Sequence, residues 1–295
     1  MKKAADALFF THPVCAGASQ TWYLWQTKTR IHDFPLPRRE KRSGMENSMI
    51  RAIITLLFAV IFLICMIPMQ FVEFLIGKWK GQEAKDRVAH ALINFAFKAI
   101  MWLSGVKLTV IGQENIPTDR AVLYIGNHRS IFDTIIGYTL VPGISGYISK
   151  IELKKVPLLS SWMKLIRCLF LDRHDTRQGL KVILAAIAQV KSGVSMWVFP
   201  EGTRGPAPDG KMLPFKEGSL KIAEKSGCPV VPLAIVGSDQ VFEAHFPFIR
   251  SAHVTFRFGE PFYIKDLAPE DRKFSGAYTQ KLIENMLEEM EGLPQ

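Results

Sequence analysis

Four short apolar stretches of this 295-residue sequence each end in a cluster of polar and charged residues. Such a stretch, bounded by turn residues, is typical of a buried strand. The clusters are Asn127–Asp133, Lys150–Lys154, Asp172–Arg177 and Glu201–Arg204. Strands that alternate with helices form a mostly parallel sheet with helices on both faces, and its ligands bind at the carboxyl ends of the strands. The sequence therefore predicts an α/β fold with all four clusters at one edge.

Residues 106–295 show this alternation throughout and form one predicted α/β domain. The predicted strands are Lys107–Ile111, Ala121–Ile125, Gly146–Ser149, Arg167–Leu171, Val194–Phe199, Val230–Val236 and His253–Phe258. The predicted helices are Ile131–Leu140, Pro157–Leu165, Gly179–Lys191, Ser219–Lys225 and Glu270–Glu291. Because 48% of the residues are hydrophobic, a domain of this length has ample side chains for a core.

Two strongly apolar segments precede this domain. Ala52–Ile76 is long enough to span a bilayer, although Pro68 interrupts it, and Ala89–Ser104 carries one polar stripe on an apolar helix. Basic residues flank the first segment on both sides, so the positive-inside rule does not fix its orientation. We expect residues 45–105 to form a two-helix hairpin that dips into one leaflet, and a simple span is the alternative.

Residues 1–44 have no convincing periodicity and hold eight Lys and Arg against three Asp and Glu, which is half of the formal charge of +10. We interpret them as a poorly ordered basic tail or as sequence upstream of the real start, with a targeting peptide as the alternative. The rest of the chain is only mildly basic, which argues against a protein that binds nucleic acid.

The three polar clusters that follow the first one contribute five cations to the predicted edge. These are Lys150, Lys154, Arg173, Arg177 and Arg204. Like charges gather in one cleft when an anion neutralises them, so the pattern indicates an anionic substrate such as a phosphate. The alternative is that each charge is solvated separately on its own loop.

His128 and Asp133 are the strongest candidates for catalysis. Since His128 would lie in the turn after a strand and Asp133 in the first turn of the next helix, the carboxylate can orient the imidazole as a general base. Asp133 also fits a capping box with Ser130, which is a purely structural alternative. The sequence has no G-x-S-x-G elbow, no cysteine near a predicted site turn and no histidines at metal-ligand spacing. A covalent acyl-enzyme is therefore not indicated, and a metal is not needed.

In their order along the chain, these clusters resemble the motifs of the glycerolipid acyltransferases typified by 1-acylglycerol-3-phosphate acyltransferase. Residues 127–133 read NHRSIFD and are similar to the NHxSxxD motif, and residues 199–204 match FPEGTR in full. The stretch from Lys150 to Arg173 resembles the second block, except that Ser160 stands where a glycine is usual. Pro229-Val230-Val231-Pro232 matches the fourth block loosely, and the resemblance covers about residues 94–236.

The resemblance implies roles for the motif residues. His128 would take the proton of the sn-2 hydroxyl, with Asp133 orienting it. Arg173, together with Lys150 and Arg204, would hold the acceptor phosphate.

The remaining motif residues would complete the acceptor site. Glu201 and Gly202 would position the glycerol, and Asn127, Ser130 and Thr203 would add to the substrate-binding set. The co-substrate would be acyl-CoA or acyl carrier protein, with no further cofactor. The family also has an N-terminal two-helix membrane motif, which fits residues 45–105.

These features together predict transfer of an acyl chain to the sn-2 hydroxyl of 1-acylglycerol 3-phosphate. The product would be phosphatidic acid, made at the cell membrane with the catalytic domain on its cytoplasmic face. One alternative is another acceptor, such as glycerol 3-phosphate or a lyso-aminolipid. A second alternative, from a different class, is a non-catalytic lipid-binding protein with the same fold.

Overall fold

The computed structural model describes residues 39–205 and 211–291, with side chains described from 46 to 205 and from 211 to 290. The chain divides into two units, Met1–Gly44 and Met45–Gln295. The predicted basic tail, residues 1–44, lies outside the described residues except that the first helix begins at Arg39. The second unit contains the sheet and all the candidate site residues.

From residue 39 onward, three helices, instead of the predicted two, precede the first strand. They are α1 (Arg39–Cys65), α2 (Ile67–Lys80) and α3 (Gln82–Ser104), and α2 packs against α3. The apolar segment predicted as one helix breaks at Met66, because Pro68 has no N–H to donate and its ring crowds the preceding turn. Among the described residues, the segment Glu46–Cys65 of α1 is the one helical stretch long and apolar enough to cross a membrane.

A seven-stranded sheet forms the centre of the described part of the chain. Its strands are β1 (Lys107–Ile111), β2 (Leu123–Gly126), β3 (Ser145–Lys150), β4 (Leu169–Leu171), β5 (Ser195–Val198), β6 (Val230–Val236) and β7 (His253–Phe258). Their order is β1-β7-β6-β2-β5-β3-β4, and every neighbouring pair is parallel except β6 and β7. The sheet is therefore mostly parallel, as predicted.

Six α-helices follow the first strand in the described part of the chain, and five of them, with α3, pack on the two faces of the sheet. The six are α4 (Ile131–Leu140), α5 (Leu159–Leu165), α6 (Thr176–Lys191), α7 (Lys221–Ser226), α8 (Pro269–Lys273) and α9 (Ser275–Glu291). Successive residues of β2 belong to opposite cores, since strand side chains alternate between faces. Tyr124 joins a core with α3, α4 and α5, whereas Leu123 and Ile125 join one with α6, α7 and α9. This arrangement confirms the predicted fold class.

Some element boundaries differ from the prediction. The helix expected from Pro157 begins at Leu159, and the strand expected from Arg167 begins at Leu169. The long C-terminal helix is interrupted at Phe274, whose backbone angles (φ −119°, ψ 47°) are not helical. The four clusters lie after β2, β3, β4 and β5, which are parallel, so they share the carboxyl edge of the sheet.

Candidate active site

Strand β2 carries the first motif to the carboxyl edge of the sheet. It ends at Gly126, which approaches β6 so closely that a Cβ there would lie 2.5 Å from a methyl carbon of Leu233. The next side chain, Asn127, is buried, donates to the carbonyl of Ile235 (2.9 Å) and accepts the N–H of Ile235 (2.8 Å). Its amide thus continues the β2–β6 ladder beyond the end of the strand. The Asn127 amide is thereby committed to the sheet, and its predicted contact with substrate stays a prediction.

His128 and Asp133 are in direct contact at the beginning of α4. Nδ1 of His128 lies 2.9 Å from Oδ2 of Asp133, and the same oxygen accepts the backbone N–H groups of Arg129 (2.7 Å) and Ser130 (2.9 Å). Ser130 is the N-cap of the helix, and its hydroxyl accepts the N–H of Phe132 (3.0 Å). The capping box and the histidine contact, which the sequence offered as alternatives, are therefore both present.

Packing fixes the plane of the His128 ring. The imidazole stacks on Phe199, which follows β5, with ring centroids 4.1 Å apart and planes 10° from parallel. The His128 side chain is 17% exposed, whereas that of Asp133 is fully buried. Because Nδ1 is engaged by a buried carboxylate, Nε2 is the ring nitrogen that can accept a proton from a substrate.

Glu201 ties the third motif to the first. Its carboxylate is buried and accepts the backbone N–H groups of His128 (2.8 Å) and Leu213 (3.0 Å). Burial raises the pKa of Glu201, and these two hydrogen bonds oppose the rise. Gly205 also donates its N–H to the carbonyl of His128 (3.0 Å), so the loop after β5 holds the histidine backbone on two sides.

Gly202 requires a conformation that suits glycine. Its φ is +75°, and a Cβ there would lie 3.0 Å from Nζ of Lys216. The backbone at this point of the motif therefore passes close to a cation. Lys216, which the sequence places shortly after the motif, is thereby brought to the same edge as His128.

The predicted phosphate ligands lie at the ends of three neighbouring strands, β5, β3 and β4. Arg204 forms an ion pair with Glu243, with Nη1 and Oε1 2.7 Å apart. Lys150 is the last residue of β3, Arg173 follows β4, and both are exposed. These strands lie two and three strands from β2. At about 4.8 Å per strand, these positions are about 10 and 14 Å from the histidine strand. Thr203 is exposed on the loop between Gly202 and Arg204.

The structure adds one carboxylate that the sequence did not reveal. Glu243 lies on the connection between β6 and β7, where it accepts hydrogen bonds from the hydroxyl of Ser130 (2.5 Å) and the N–H of Ile131 (2.8 Å) in addition to Arg204. Ser130, predicted to bind substrate, is fully buried and bonded to Glu243 and to its own helix, and its contact with substrate stays a prediction. No motif or periodicity marks Glu243, because it lies 113 residues from Ser130.

The family model for acyltransferases matches residues 107–236. This part of the chain is therefore similar to the acyltransferase family. The matched region begins with β1 and ends with β6, so it contains every candidate residue that the sequence indicated. Glu243 lies seven residues beyond it.

Several named acyltransferases are similar to this chain. A 1-acyl-sn-glycerol-3-phosphate acyltransferase of Borreliella burgdorferi is 29% identical over 156 residues, which cover 53% of this chain and 62% of that protein. A probable 1-acyl-sn-glycerol-3-phosphate acyltransferase of Mycoplasma pneumoniae is 39% identical over 144 residues, 47% of this chain and 52% of that protein. The chain thus spans between half and two thirds of the length of these two relatives.

A solved acyltransferase has the same fold over most of the chain. The crystal structure of the 1-acyl-sn-glycerophosphate acyltransferase from Thermotoga maritima superimposes with a TM-score of 0.68 at 25% identity. The match covers 85% of this chain and 100% of that one.

Proposed function

We propose that this acyltransferase moves an acyl chain from a thioester to the sn-2 hydroxyl of 1-acylglycerol 3-phosphate and so forms phosphatidic acid. The observation that carries the proposal is the 2.9 Å contact between Nδ1 of His128 and the buried carboxylate of Asp133. A histidine that is oriented in this way suits proton removal from a hydroxyl. The named relatives and the family match support the same reaction.

In the proposed reaction, Nε2 of His128 accepts the proton of the acceptor hydroxyl. The hydroxyl oxygen attacks the thioester carbonyl carbon, the carbon–sulfur bond breaks, and the thiolate leaves with the proton that His128 took up. Asp133 stabilises the imidazolium between these two proton transfers, and Phe199 keeps the ring in plane. The acyl group passes directly between the substrates, without a covalent enzyme intermediate.

We propose that the acceptor phosphate binds the cations at the same edge of the sheet. Arg204 follows β5, the strand next to β2, and is therefore the nearest to His128 of the three predicted phosphate ligands. Lys150 and Arg173 lie farther along the edge and extend the positive surface. Glu201, Gly202 and Thr203 form the loop between His128 and Arg204, where the glycerol would lie.

The proposed donor is acyl-CoA or acyl carrier protein, and the proposed setting is the cell membrane. Apolar side chains exposed on α1 and α2 support membrane association, because α1 is long and apolar enough for a bilayer. We place the catalytic domain on the cytoplasmic face, where both acyl thioesters are available. No partner beyond the lipid, the donor and the bilayer is required for this reaction.

A thiol-release assay tests the proposal. Wild-type protein, acyl-CoA or acyl carrier protein, and a panel of 1-acylglycerol 3-phosphate, glycerol 3-phosphate and a lyso-aminolipid would be compared. We expect thiol release to depend on 1-acylglycerol 3-phosphate, and His128→Ala to lower kcat by about 10²–10⁴-fold, which is the usual contribution of a general base.

His253→Ala is the matched control, because His253 is exposed at the start of β7, two strands from β2 on the side away from β5, β3 and β4, and its ring bonds to Thr109. It should keep wild-type activity. Lipid binding without thiol release from any donor would instead favour a non-catalytic lipid-binding protein. A preference for another panel member would change the acceptor and leave the reaction class in place.

A further inference from the structure

Arg204 forms an ion pair with Glu243 at the edge of the sheet. Oε1 of Glu243 lies 2.7 Å from its Nη1, and this ion pair is partly shielded from water, with the two side chains 44% and 25% exposed. An arginine on an exposed loop samples many rotamers, and a charge-assisted hydrogen bond restricts it to few of them. The orientation of the Arg204 guanidinium is thus set by a residue outside the four sequence motifs.

The same carboxylate is also bound to the helix that carries Asp133. Oε1 accepts the N–H of Ile131 (2.8 Å), and Oε2 accepts the hydroxyl of Ser130. Ser130 is buried and caps α4, and Asp133 lies three residues farther along. Glu243 therefore connects the cation of the third motif to the helix that orients His128.

The segment that carries Glu243 is itself anchored at both ends. Val241 is fully buried, and its carbonyl accepts the N–H of Arg250 (2.9 Å), which closes the excursion between β6 and β7. The N–H of Ile249 bonds to the carbonyl of Ser48 on α1 (3.3 Å). Because its segment is anchored, Glu243 can hold a neighbouring side chain in place. Its carboxylate accepts three hydrogen bonds, from Ser130, Ile131 and Arg204, so a substrate would not easily displace it.

We propose that Glu243 is a positioning residue of the acyltransferase site, which aims Arg204 at the phosphate of the acceptor. This inference rests on the proposed function, since it assigns Arg204 to that phosphate. Loss of the Glu243 charge releases Arg204 from its orientation and leaves His128 and Asp133 in place. The effect should consequently fall on the KM for the acceptor, with little change in kcat or in the KM for the thioester.

Steady-state kinetics of Glu243→Gln test this inference. We expect the KM for 1-acylglycerol 3-phosphate to rise about tenfold, equivalent to about 1.4 kcal/mol, with kcat within about twofold of wild type. Glu243→Asp retains the charge on a shorter side chain and should recover part of the loss. Glu260→Gln makes the same chemical change at an exposed site beyond β7 and should leave both constants unchanged.

A double-mutant cycle adds a result that a merely structural role would not give. Arg204→Ala should raise the same KM, and adding Glu243→Gln to it should cause no further increase, because the group that Glu243 positions is then absent. If Glu243→Gln does not give folded protein, the cycle with Glu243→Asp applies the same criterion.

The inference is overturned if wild type is active and the acceptor KM of the Glu243 variant is unchanged or lower. A lower KM would mean that the carboxylate competes with the phosphate. Additive effects in the cycle would likewise overturn it. Inactive wild-type protein would instead count against the proposed function, so the two failures are distinguishable.

Discussion

One oxygen of Asp133 accepts three hydrogen bonds, from the His128 ring and from the backbone of Arg129 and Ser130. The other oxygen, Oδ1, is buried with no hydrogen-bond partner among the described residues. A residue that only caps the helix needs the bonds to backbone N–H groups, and a residue that only orients the histidine needs the bond to the His128 ring. The helix therefore begins where the histidine is held, and a single carboxylate stabilises both.

Asp133→Asn should separate these two roles. An asparagine can place its carbonyl oxygen where Oδ2 lies and keep the cap, but it carries no charge to stabilise an imidazolium. We expect kcat to fall by about 100-fold or more, while the free energy of unfolding falls by only about 1 kcal/mol. Kinetics and denaturant unfolding on the same preparation measure the two effects.

The matched control for the cap is Asp175→Ala. Asp175 caps α6 by accepting the N–H of Gln178 (3.0 Å) and does not contact His128. Its loss should also lower the free energy of unfolding by about 1 kcal/mol, with activity retained. If Asp133→Asn behaved in the same way, capping would be the whole role of Asp133.

At the scale of elements, the edge of the sheet depends on how β2 is joined to β6. Gly126 aligns with Leu233, and beyond it the Asn127 side chain bonds to both backbone groups of Ile235. Asn127→Ala would leave a buried N–H and a buried carbonyl without partners. We expect the free energy of unfolding to fall by about 2–6 kcal/mol, since each of the two unsatisfied groups costs about 1–3 kcal/mol.

Chemical unfolding in detergent measures this loss, with Asn285→Ala as the control. Asn285 is exposed on α9, so its replacement should change stability by less than about 0.5 kcal/mol. A loss below about 1 kcal/mol for Asn127→Ala would mean that water or a shifted backbone satisfies Ile235. The Asn127 amide would then be available for the predicted contact with substrate.

The elements themselves could be predicted from the sequence because most of them have a strong local signal. Lys107–Ile111, Val230–Val236 and His253–Phe258 were predicted with the bounds that the structure gives, as was the helix Ile131–Leu140. Each is an apolar run or an apolar periodicity, which local sequence shows directly. The break at Met66 was harder to place, because a proline interrupts a helix without fixing the residue at which it stops.

The site could be predicted only where its residues follow strands. The contact of His128 with Asp133 followed from the order strand, turn and helix, and the parallel sheet placed the other clusters at the same edge. The part played by Glu243 could not be predicted, since it depends on how the β6–β7 connection folds back over α4. The contacts of Asn127 with Ile235 and of Ser130 with Glu243 could not be predicted either, because they join residues far apart in the sequence. The motif spacing by itself fits a contact with substrate equally well.

At the scale of the whole molecule, exposed apolar side chains are concentrated in one region. Of the exposed large hydrophobic residues, most lie between Met49 and Leu75, on α1 and α2. The described remainder of the chain has only scattered ones, which are normal on a protein surface. This asymmetry supports the proposed membrane association through the N-terminal helices.

Charged substitutions on α1 test whether that face holds the protein in the membrane. Leu57 and Ile61 lie four residues apart and are 55% and 49% exposed. Each aspartate at the centre of a bilayer costs about 2.5–3.5 kcal/mol, so Leu57→Asp combined with Ile61→Asp should move the protein from the washed membrane pellet to the soluble fraction.

The matched control is Leu180→Asp with Leu184→Asp on α6, which has the same spacing and exposures of 62% and 57%. That control should stay in the pellet like wild type, because α6 is not part of the proposed membrane face. Release of both double variants would instead indicate a general effect of lower surface hydrophobicity. If the α1 variant also stayed in the pellet, α1 would not be the element that binds the bilayer.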